Sequence, residues 1–267
     1  MKVAIVGCGN MGLAFARSFI QYDLISKNNL LLIEKNSHRC EHLRNLKEGV
    51  VVSTIDDQIK LYDLVIISVK PQDFKELVPD LRQVLGIEQV VLSIMAGITI
   101  SHIQEALDHK LVIRAMPNTP AMIGMGITGF TAAAGISFQK LLKVENLINA
   151  TGRSVYFENE HELNAVTAIS GSGPAYFYYI VKSMVDAAIK MGFDEGTASL
   201  FVKQTMLGAY HLINNAELSL DELIKAVASK GGTTEAALKV FQNNQLDSTI
   251  QEALFAARDR SEALSKA

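Results

Sequence analysis

A glycine motif close to the amino terminus constrains the fold of this chain more than any other feature. Residues 7–12 read GCGNMG, a G-x-G-x-x-G pattern that directly follows the apolar run Val3–Val6 and opens an amphipathic segment. The first glycine permits a tight turn, the second lets a pyrophosphate approach the backbone, and the third allows close helix–strand packing. Amide groups at the helix start attract phosphate charge. The sequence therefore predicts a Rossmann-type dinucleotide site formed by Gly7, Cys8, Gly9, Asn10, Met11 and Gly12.

Six short, β-branched runs alternate with helix-like segments over the first part of the chain. Such runs are typical of strands buried on both faces of a mainly parallel sheet. After about residue 158, long amphipathic stretches follow one another, which predicts an all-helical second domain. The expected fold class is α/β, with a Rossmann-type domain over residues 1–157 and a helical domain over residues 158–267. The expected strands cover residues 3–6, 30–33, 50–52, 64–69, 90–94 and 112–115.

Several helix starts carry recognisable signals. Ser101 with Gln104 and Ser219 with Glu222 each fit a capping box. Pro174 fits the first turn of a helix that runs to about residue 191, because a proline there loses no intrahelical hydrogen bond. Further helices are expected after residues 234 and 247.

Composition excludes several classes of function. The formal net charge is −3 and no basic block is present, which argues against nucleic-acid binding. The apolar runs are strand-length and the amino terminus lacks the pattern of a signal peptide, so we expect neither a membrane role nor export. With two cysteines, Cys8 and Cys40, a disulfide framework is not expected, and a reducing compartment, the cytoplasm, is the natural location.

The second expected strand ends at Glu34, and the residues around this strand end bear on the choice of cofactor. A carboxylate here accepts a hydrogen bond from a free ribose hydroxyl and repels a 2′-phosphate, which favours NADH. Lys35, Asn36 and Arg39 favour NADPH instead, because they can hold that phosphate. The basic residues fit an ordinary solvated helix start equally well, so the sequence leaves NADPH and NADH both open.

A metal site is not expected. His38 and His42 lie four residues apart and share a helix face, but Cys40 lies off that face and no further ligand is evident nearby. The HExxH motif of zinc proteases and the G-x-S-x-G motif of serine hydrolases are absent from the sequence. Metal and acyl-transfer chemistry therefore lack their usual signatures.

Three segments follow expected strands at their carboxyl ends, where open α/β sheets bind their ligands. Each by itself is typical of a turn rich in proline or glycine, but three at successive strand ends favour a cofactor cleft. They read VKPQ at residues 69–72, SIMAG at 93–97 and RAMPNTP at 114–120.

Two small-residue loops in the expected helical domain lead into helices. Residues 170–176 read SGSGPAY and residues 229–234 read SKGGTT. Backbone amides of the second loop can hold a carboxylate, while the hydroxyl of Thr233 or Thr234 caps the helix or contacts a substrate. A plain connection between helices is the alternative, but two glycines followed by two threonines favour an anion site.

Taken together, these motifs resemble those of the pyrroline-5-carboxylate reductases over nearly the whole chain. RAMPNTPA at 114–121, SGSGPAYF at 170–177 and KGGTT at 230–234 are far more specific than the glycine motif. The resemblance implies hydride transfer from NADPH or NADH to pyrroline-5-carboxylate, which gives L-proline in the last step of proline biosynthesis. It also implies a helical domain that forms a homodimer, with active sites where the helices of two subunits meet, and in some members a ring of dimers.

The resemblance also assigns site residues by matching positions. On the cofactor side, the glycine motif and Asn36 are joined by Val69, Lys70, Pro71, Ala96 and Gly97, beside the Glu34–Lys35 pair already considered. On the substrate side, Thr233 and Thr234 would hold the carboxylate and ring nitrogen together with Ser229, Gly231 and Gly232, and Glu160 is a weaker candidate.

Two residues depart from the family pattern. Lys230 stands where the family loop usually carries proline, which removes a ring constraint on φ and adds a positive charge. Glu34 stands where members that use NADPH tend to carry small or polar residues.

Two rival functions fit the sequence less well. β-Hydroxyacid dehydrogenases share the glycine motif but place a catalytic lysine on the helix after a G-x-x-G loop, and Lys182 has the wrong spacing for that role. A non-catalytic dinucleotide sensor would not need the GGTT segment.

Overall fold

The computed structural model describes residues 1–265, and its first part is built on one eight-stranded sheet. The strand order is β3-β2-β1-β4-β5-β6-β7-β8, parallel throughout except that β7 runs antiparallel to β6. The strands are β1 (Val3–Val6), β2 (Leu30–Ile33), β3 (Val50–Val52), β4 (Leu64–Ile67), β5 (Val90–Ser93), β6 (Val112–Met116), β7 (Gly126–Ala132) and β8 (Gly152–Tyr156).

The central strands form because nearly every residue in them is apolar. All four residues of β1, β2 and β4 are buried, and one apolar cluster lies on each face of the sheet. Strands buried on both faces are the mark of a parallel sheet covered by helices. The chain order reverses between β2-β1 and β4-β5, so a crevice opens beyond the carboxyl ends of β1 and β4.

Six helices connect or flank these strands. Helix α1 starts directly after the glycine motif, and Pro71 opens α3 within its first turn. Proline is well placed there because the first amides of a helix have no partner within it. The helices are α1 (Asn10–Gln21), α2 (Ser37–Leu46), α3 (Pro71–Val84), α4 (Ile100–Leu107), α5 (Phe138–Asn149) and α6 (Glu162–Val166).

The rest of the chain is helical. The helices are α7 (Gly173–Lys190), α8 (Glu195–Asn215), α9 (Leu220–Val227), α10 (Thr233–Asn243) and α11 (Leu246–Ser265). The fold divides into two compact units, one of Met1–Pro174 with the chain from Ala257 onward, and one of Ala175–Ala256. The expected class, a mainly parallel Rossmann-type sheet followed by helices, is confirmed.

Sequence reasoning missed the last two strands of the sheet. β7 (GITGFTA) contains two glycines and β8 (GRSVY) is largely exposed, so neither shows the continuous apolar run of the central strands. β8 is the edge strand and needs less apolar sequence because only part of its surface is buried. β7 is mostly buried, but its glycines and threonines conceal this in the sequence. Neither strand therefore had a sequence signal of the kind that predicted the other six.

Two further expectations about local structure are corrected. The side chain of Thr99, rather than Ser101, caps α4 by accepting a hydrogen bond from the amide of His102. The expected loop before Pro174 is instead a π-helical turn over Thr167–Gly171. The capping box of Ser219 and Glu222 is confirmed, with both of its hydrogen bonds present.

Within residues 1–265, no helix is both long and apolar enough to cross a lipid bilayer. The same residues contain no group of three or more histidine, cysteine, aspartate or glutamate side chains arranged to bind a metal ion.

Candidate active site

The glycine motif forms the turn between β1 and α1, and its geometry explains why two of its glycines are needed. Gly7 has φ +88°, and a Cβ there would lie 2.6 Å from Cγ1 of Val69 and 2.8 Å from the carbonyl oxygen of Ser68. A Cβ on Gly12 would overlap the carbonyl oxygen of Gly7. Any larger residue at either position would push α1 away from the sheet, so these glycines fix where the helix begins.

The middle glycine faces open space instead. The nearest atom to a Cβ on Gly9 is the Arg39 guanidinium, 4.0 Å away. Gly9 is also the N-cap of α1 and provides no side-chain cap. A helix start with amides and no side chain in front of it is a natural phosphate site.

A cleft of about 870 Å³ lies at the carboxyl ends of the central strands. This volume is of the size that holds a drug-sized ligand or a cofactor. Together with the bare start of α1, it fits a dinucleotide. Of the predicted cofactor residues, Gly7, Gly9, Asn10, Met11, Glu34, Lys35, Asn36, Val69 and Lys70 line the cleft.

The carboxylate of Glu34 is held in place by the backbone around it. It is only 6% exposed, and it accepts hydrogen bonds from the amide of Cys8 at 3.2 Å and from the amide of Asn36 at 2.9 Å. The Arg39 guanidinium lies 3.6 Å from the same carboxylate. Glu34 thus ties the end of β2 to the glycine motif and places a fixed negative charge on the cleft wall.

The neighbouring polar residues have partners of their own. Lys35 forms an exposed ion pair with Glu76 at 3.1 Å. The Asn36 side chain caps α2 by accepting a hydrogen bond from the Arg39 amide at 3.0 Å. Arg39 is about half exposed, and its guanidinium lies beside both the Glu34 carboxylate and the open side of Gly9. It is the best-placed side chain on this wall to contact a 2′-phosphate.

The Cys8 side chain packs into the core beneath the cleft. Its Sγ lies 3.8 Å from the carbonyl oxygen of Ile33, and the residue is 2% exposed. Burial, with a smaller contribution from the Glu34 carboxylate, raises the pKa of the Cys8 thiol to about 12. Cys8 therefore serves the site through its backbone amide while its thiol stays neutral.

The second half of the sheet contributes two turns. Lys70 and Pro71 begin α3 after β4. Ala96 and Gly97 form the turn between β5 and α4, where Gly97 is buried and has φ +74°. Cys8, Gly12, Pro71, Ala96 and Gly97 are not among the residues that line the cleft.

The RAMPNTP and SGSG segments, expected to carry function, lie against each other. A Cβ on Gly171 would lie 2.5 Å from Cε of Met116, so a side chain there would displace the end of the methionine. The Asn118 side-chain amide donates a hydrogen bond to Ser170 Oγ at 3.1 Å. π-Helical turns such as Thr167–Gly171 occur frequently at functional sites, which agrees with the prominence of both motifs in the sequence.

Glu160 forms a partly buried ion pair. Its Oε1 accepts hydrogen bonds from Arg114 Nη1 and from the Ile100 amide, each at 2.8 Å. Arg114 is 2% exposed, so its charge depends on this carboxylate for compensation. Glu160 thereby joins β6 to the first turn of α4.

The SKGGTT segment connects α9 to α10 in the second unit. Gly231 has φ +75°, and Gly232 is the N-cap of α10, where a Cβ would lie 2.6 Å from Ser229 Oγ. Thr233 is exposed and Thr234 half-buried in the first turn. The Gly231 amide donates to the Glu235 carboxylate at 2.6 Å, so a carboxylate already contacts this helix start. The expected helix start is present, with Gly232 as its N-cap and no side-chain cap, and its role as an anion site stays a prediction.

Sequence reasoning missed part of the cleft wall. Ser53 and Thr54 follow β3, and their position at a strand end could have marked them. Asp73, Glu76, Leu77 and Asp80 line the cleft from α3, and only the helical spacing of that segment hinted at a shared face.

Two known protein families match separate parts of this chain. The family described as "Pyrroline-5-carboxylate reductase dimerisation" matches residues 160–264, and the family described as "NADP oxidoreductase coenzyme F420-dependent" matches residues 2–97. The pyrroline-5-carboxylate reductase of Haemophilus influenzae is 34% identical over 98% of this chain and 97% of its own length. The chain belongs to the pyrroline-5-carboxylate reductase family.

Other members of the reductase family are similar to this chain in sequence or in fold. The Pseudomonas aeruginosa enzyme is 39% identical over 81% of this chain and 80% of its own length. A Plasmodium falciparum pyrroline carboxylate reductase with NADP bound has a TM-score of 0.88 at 25% identity, covering 99% of this chain and 98% of its own. A Coxiella burnetii reductase has a TM-score of 0.88 at 29% identity, covering 100% and 99%.

The raised pKa of Cys8 predicts that its thiol resists alkylation. Since the thiolate is the reacting species, labelling of native protein by iodoacetamide at about pH 8.5 should be at least about a hundredfold slower than labelling of urea-unfolded protein. Mass spectrometry of the peptide that contains Cys8 measures the rate. Rapid labelling of the folded chain at Cys8 would contradict the buried thiol.

The raised pKa of the Cys8 thiol also affects the pH dependence of stability. Because an unfolded thiol ionises near 9.0 and the folded one near 12, this group should lower the free energy of unfolding as the pH rises above 9.

The fixed charge of Glu34 predicts a change in cofactor preference. Glu34→Gln removes the negative charge and keeps an oxygen acceptor for one of the two backbone amides. The ratio of kcat/KM with NADPH to kcat/KM with NADH should therefore rise about tenfold. Steady-state kinetics with both cofactors measures the ratio. Glu41→Gln, an equal charge change on the exposed face of α2, is the control. An unchanged ratio in Glu34→Gln would remove Glu34 from cofactor selection.

Proposed function

We propose that this protein is a pyrroline-5-carboxylate reductase, which uses NADPH or NADH to reduce 1-pyrroline-5-carboxylate to L-proline as the last step of proline biosynthesis. The observation that carries the proposal is likeness over nearly the full chain to enzymes of that name, spanning both the cofactor cleft and the SKGGTT helix start. A protein that only sensed dinucleotides would need the cofactor cleft but not the SKGGTT helix start.

The cofactor side of the proposed site rests on the first unit. The bare amides at the start of α1 hold the pyrophosphate, and the ends of β2 and β4 supply the walls. Bound NADPH or NADH supplies the hydride that adds to the imine carbon of the substrate. The side chains assigned to this role are those of Glu34, Lys35, Asn36, Val69 and Lys70, with Pro71, Ala96 and Gly97 shaping the turns.

The substrate side rests on the helix start at residues 229–234. We assign the substrate carboxylate to the backbone amides of Gly231, Gly232 and Thr233, since amides at a helix N-terminus favour negative charge. The Ser229 and Thr234 hydroxyls supply hydrogen bonds beside them. Glu235 is a local competitor for one of these amides.

The chemistry does not require a strong acid on the protein. A cyclic imine is basic enough to be protonated, and the resulting iminium accepts hydride at carbon readily, which gives a neutral amine whose nitrogen keeps that proton. The protein has to hold the nicotinamide and the imine carbon close together in the orientation that hydride transfer requires. The Thr234 hydroxyl orients the ring nitrogen through a hydrogen bond.

Glu160 acts in this proposal by positioning. Its Oε1 accepts from both Arg114 and the Ile100 amide, contacts that stabilise the turn before α4. This arrangement supports an indirect role more strongly than direct contact with the substrate.

Lys230 adds a positive charge next to the proposed carboxylate site. It stands where a proline would otherwise restrict φ, immediately before Gly231. A cation at this place attracts the carboxylate, so activity is retained with an altered substrate affinity.

A homodimer follows from the second unit. Across Ala175–Ala256, all of which the structure describes, only Ala198 and Val202 are buried. Large apolar side chains are exposed instead, among them Phe177 at 60%, Tyr179 at 74% and Leu200 at 67%. A helical unit of this length that buries so little apolar surface lacks a core of its own, and a second copy supplies one.

The remaining parts of the proposal concern organisation. We assign residues 1–157 to dinucleotide binding and residues 158–267 to substrate binding and dimerisation. Dimers can assemble further into a ring. The two buried, unpaired cysteines agree with a reducing cytoplasmic location.

The main experiment follows the loss of reduced cofactor absorbance with pyrroline-5-carboxylate, using NADPH and NADH in turn. The wild-type chain should turn over, and Thr234→Ala should lower kcat about tenfold to a hundredfold because the ring nitrogen loses its hydrogen-bonding partner. Thr234→Ser keeps the hydroxyl and is the matched control. Absence of turnover with both cofactors would reject the reductase assignment.

Sedimentation velocity tests the dimer. Phe201→Glu places a charge on the exposed apolar face of α8, where Phe201 is 61% exposed, so the variant should shift from dimer towards monomer. Lys225→Glu on the exposed part of α9 is the control and should leave the dimer intact. A wild-type chain that sediments as a folded monomer would contradict this part of the proposal.

A further inference from the structure

The last turn of α11 contacts the turn that joins β5 to α4. A Cβ placed on Gly97 would lie 3.0 Å from the Cβ of Leu264 and 3.6 Å from its carbonyl carbon. Both residues belong to the first compact unit, although α11 begins in the second. The closing turn of this helix therefore limits where the Ala96–Gly97 turn can lie.

Two polar contacts fix the end of α11 in this place. Ser261 Oγ donates a hydrogen bond to Asn164 Oδ1 at 2.8 Å, and both residues are buried, at 4% and 5% exposed. His161 Nε2 lies 3.1 Å from Glu262 Oε1. A buried acceptor that loses its donor is costly, so the Ser261–Asn164 pair resists displacement of the helix end.

Residues 160–164, which hold the end of α11, also contact the other end of the turn between β5 and α4. Glu160, which immediately precedes His161, accepts hydrogen bonds from the Ile100 amide and from Arg114. The turn before α4 is consequently held by Glu160 at its end and by Leu264 at Gly97. Residues 160–164 connect the two supports.

The position of this turn in the sheet indicates which half of a dinucleotide it serves. Rossmann-type sheets consist of two halves that each bind one nucleotide across the reversal of strand order. Glu34, at the end of β2, marks the adenosine half. The β5–α4 turn lies in the other half, where the nicotinamide binds, and Ile94 just before it lines the cleft.

We propose that the end of α11, through Ser261 and Leu264, positions the Ala96–Gly97 turn and thereby the nicotinamide end of the cofactor. This inference rests on the proposed function for the identity of the reaction. Gly97 has a left-handed φ of +74°. Because glycine can adopt many other backbone conformations, packing against its neighbours is needed to select this one. Small displacements of a positioning element lower the rate of a reaction that depends on alignment. Ser261 and Leu264 are positioning residues and do not contact the reacting atoms.

The experiment compares binding of the whole cofactor with binding of ADP-ribose, which lacks the nicotinamide. Ser261→Ala removes the buried donor, and Ser265→Ala is its control because the Ser265 hydroxyl donates to the Ser261 carbonyl within the same helix. Leu264→Gly removes the Cβ that faces Gly97, whereas Leu264→Ala keeps it. Calorimetry gives the two Kd values, and steady-state kinetics gives kcat and KM. Thermal unfolding checks that each variant is folded.

Ser261→Ala and Leu264→Gly should lower kcat about tenfold and weaken binding of NADPH or NADH severalfold, with ADP-ribose binding unchanged. Ser265→Ala and Leu264→Ala should behave as the wild type. Equal weakening of ADP-ribose and whole cofactor, or wild-type kinetics and binding in both test variants, would overturn the proposal. If Ser261→Ala fails to fold, the Leu264 pair decides.

The two proposals fail in different ways. A wild-type chain that binds NADPH but does not reduce pyrroline-5-carboxylate would reject the proposed function. In that case the comparison of whole-cofactor and ADP-ribose binding still decides whether the end of α11 positions the nicotinamide half.

Discussion

The close approach of α1 to the sheet is the constraint on which the cofactor cleft depends. Gly7 and Gly12 lie where any Cβ would meet Val69, Ser68 or the Gly7 carbonyl. Because the helix begins immediately beyond β1, its unpaired amides face the crevice opened by the reversal of strand order. Glu34 then links this turn to β2 through the Cys8 amide. The charge, volume and shape of the cleft follow from that one arrangement.

The two units stabilise themselves in different ways. The sheet unit buries two apolar clusters, one on each face, and can form its core from its own residues. The helical unit buries only Ala198 and Val202 across its described length and exposes aromatic and aliphatic side chains. The proposed association with a second copy would stabilise this half of the chain, which also contains the proposed substrate segment.

Much of the fold could be predicted because its signals are local. The apolar runs of β1, β2 and β4, the glycine turn and the Ser219 capping box each depend on a few adjacent residues, and each is present. β7 and β8 had no such signal, since their pairing, not their composition, makes them strands. Thr99 replaced Ser101 as a cap because helix starts shift easily by a residue or two.

The sequence alone determined the class of fold, the place of the dinucleotide turn and the residue types available on either side of the site. Only the tertiary structure decided what those residues do for one another. It directed the Cys8 thiol into the core, held the Glu34 carboxylate with two amides, paired Glu160 with Arg114 and brought Leu264 against Gly97. These contacts join residues far apart in the chain, and their formation depends on how the sheet and helices pack, which no local pattern of residues records.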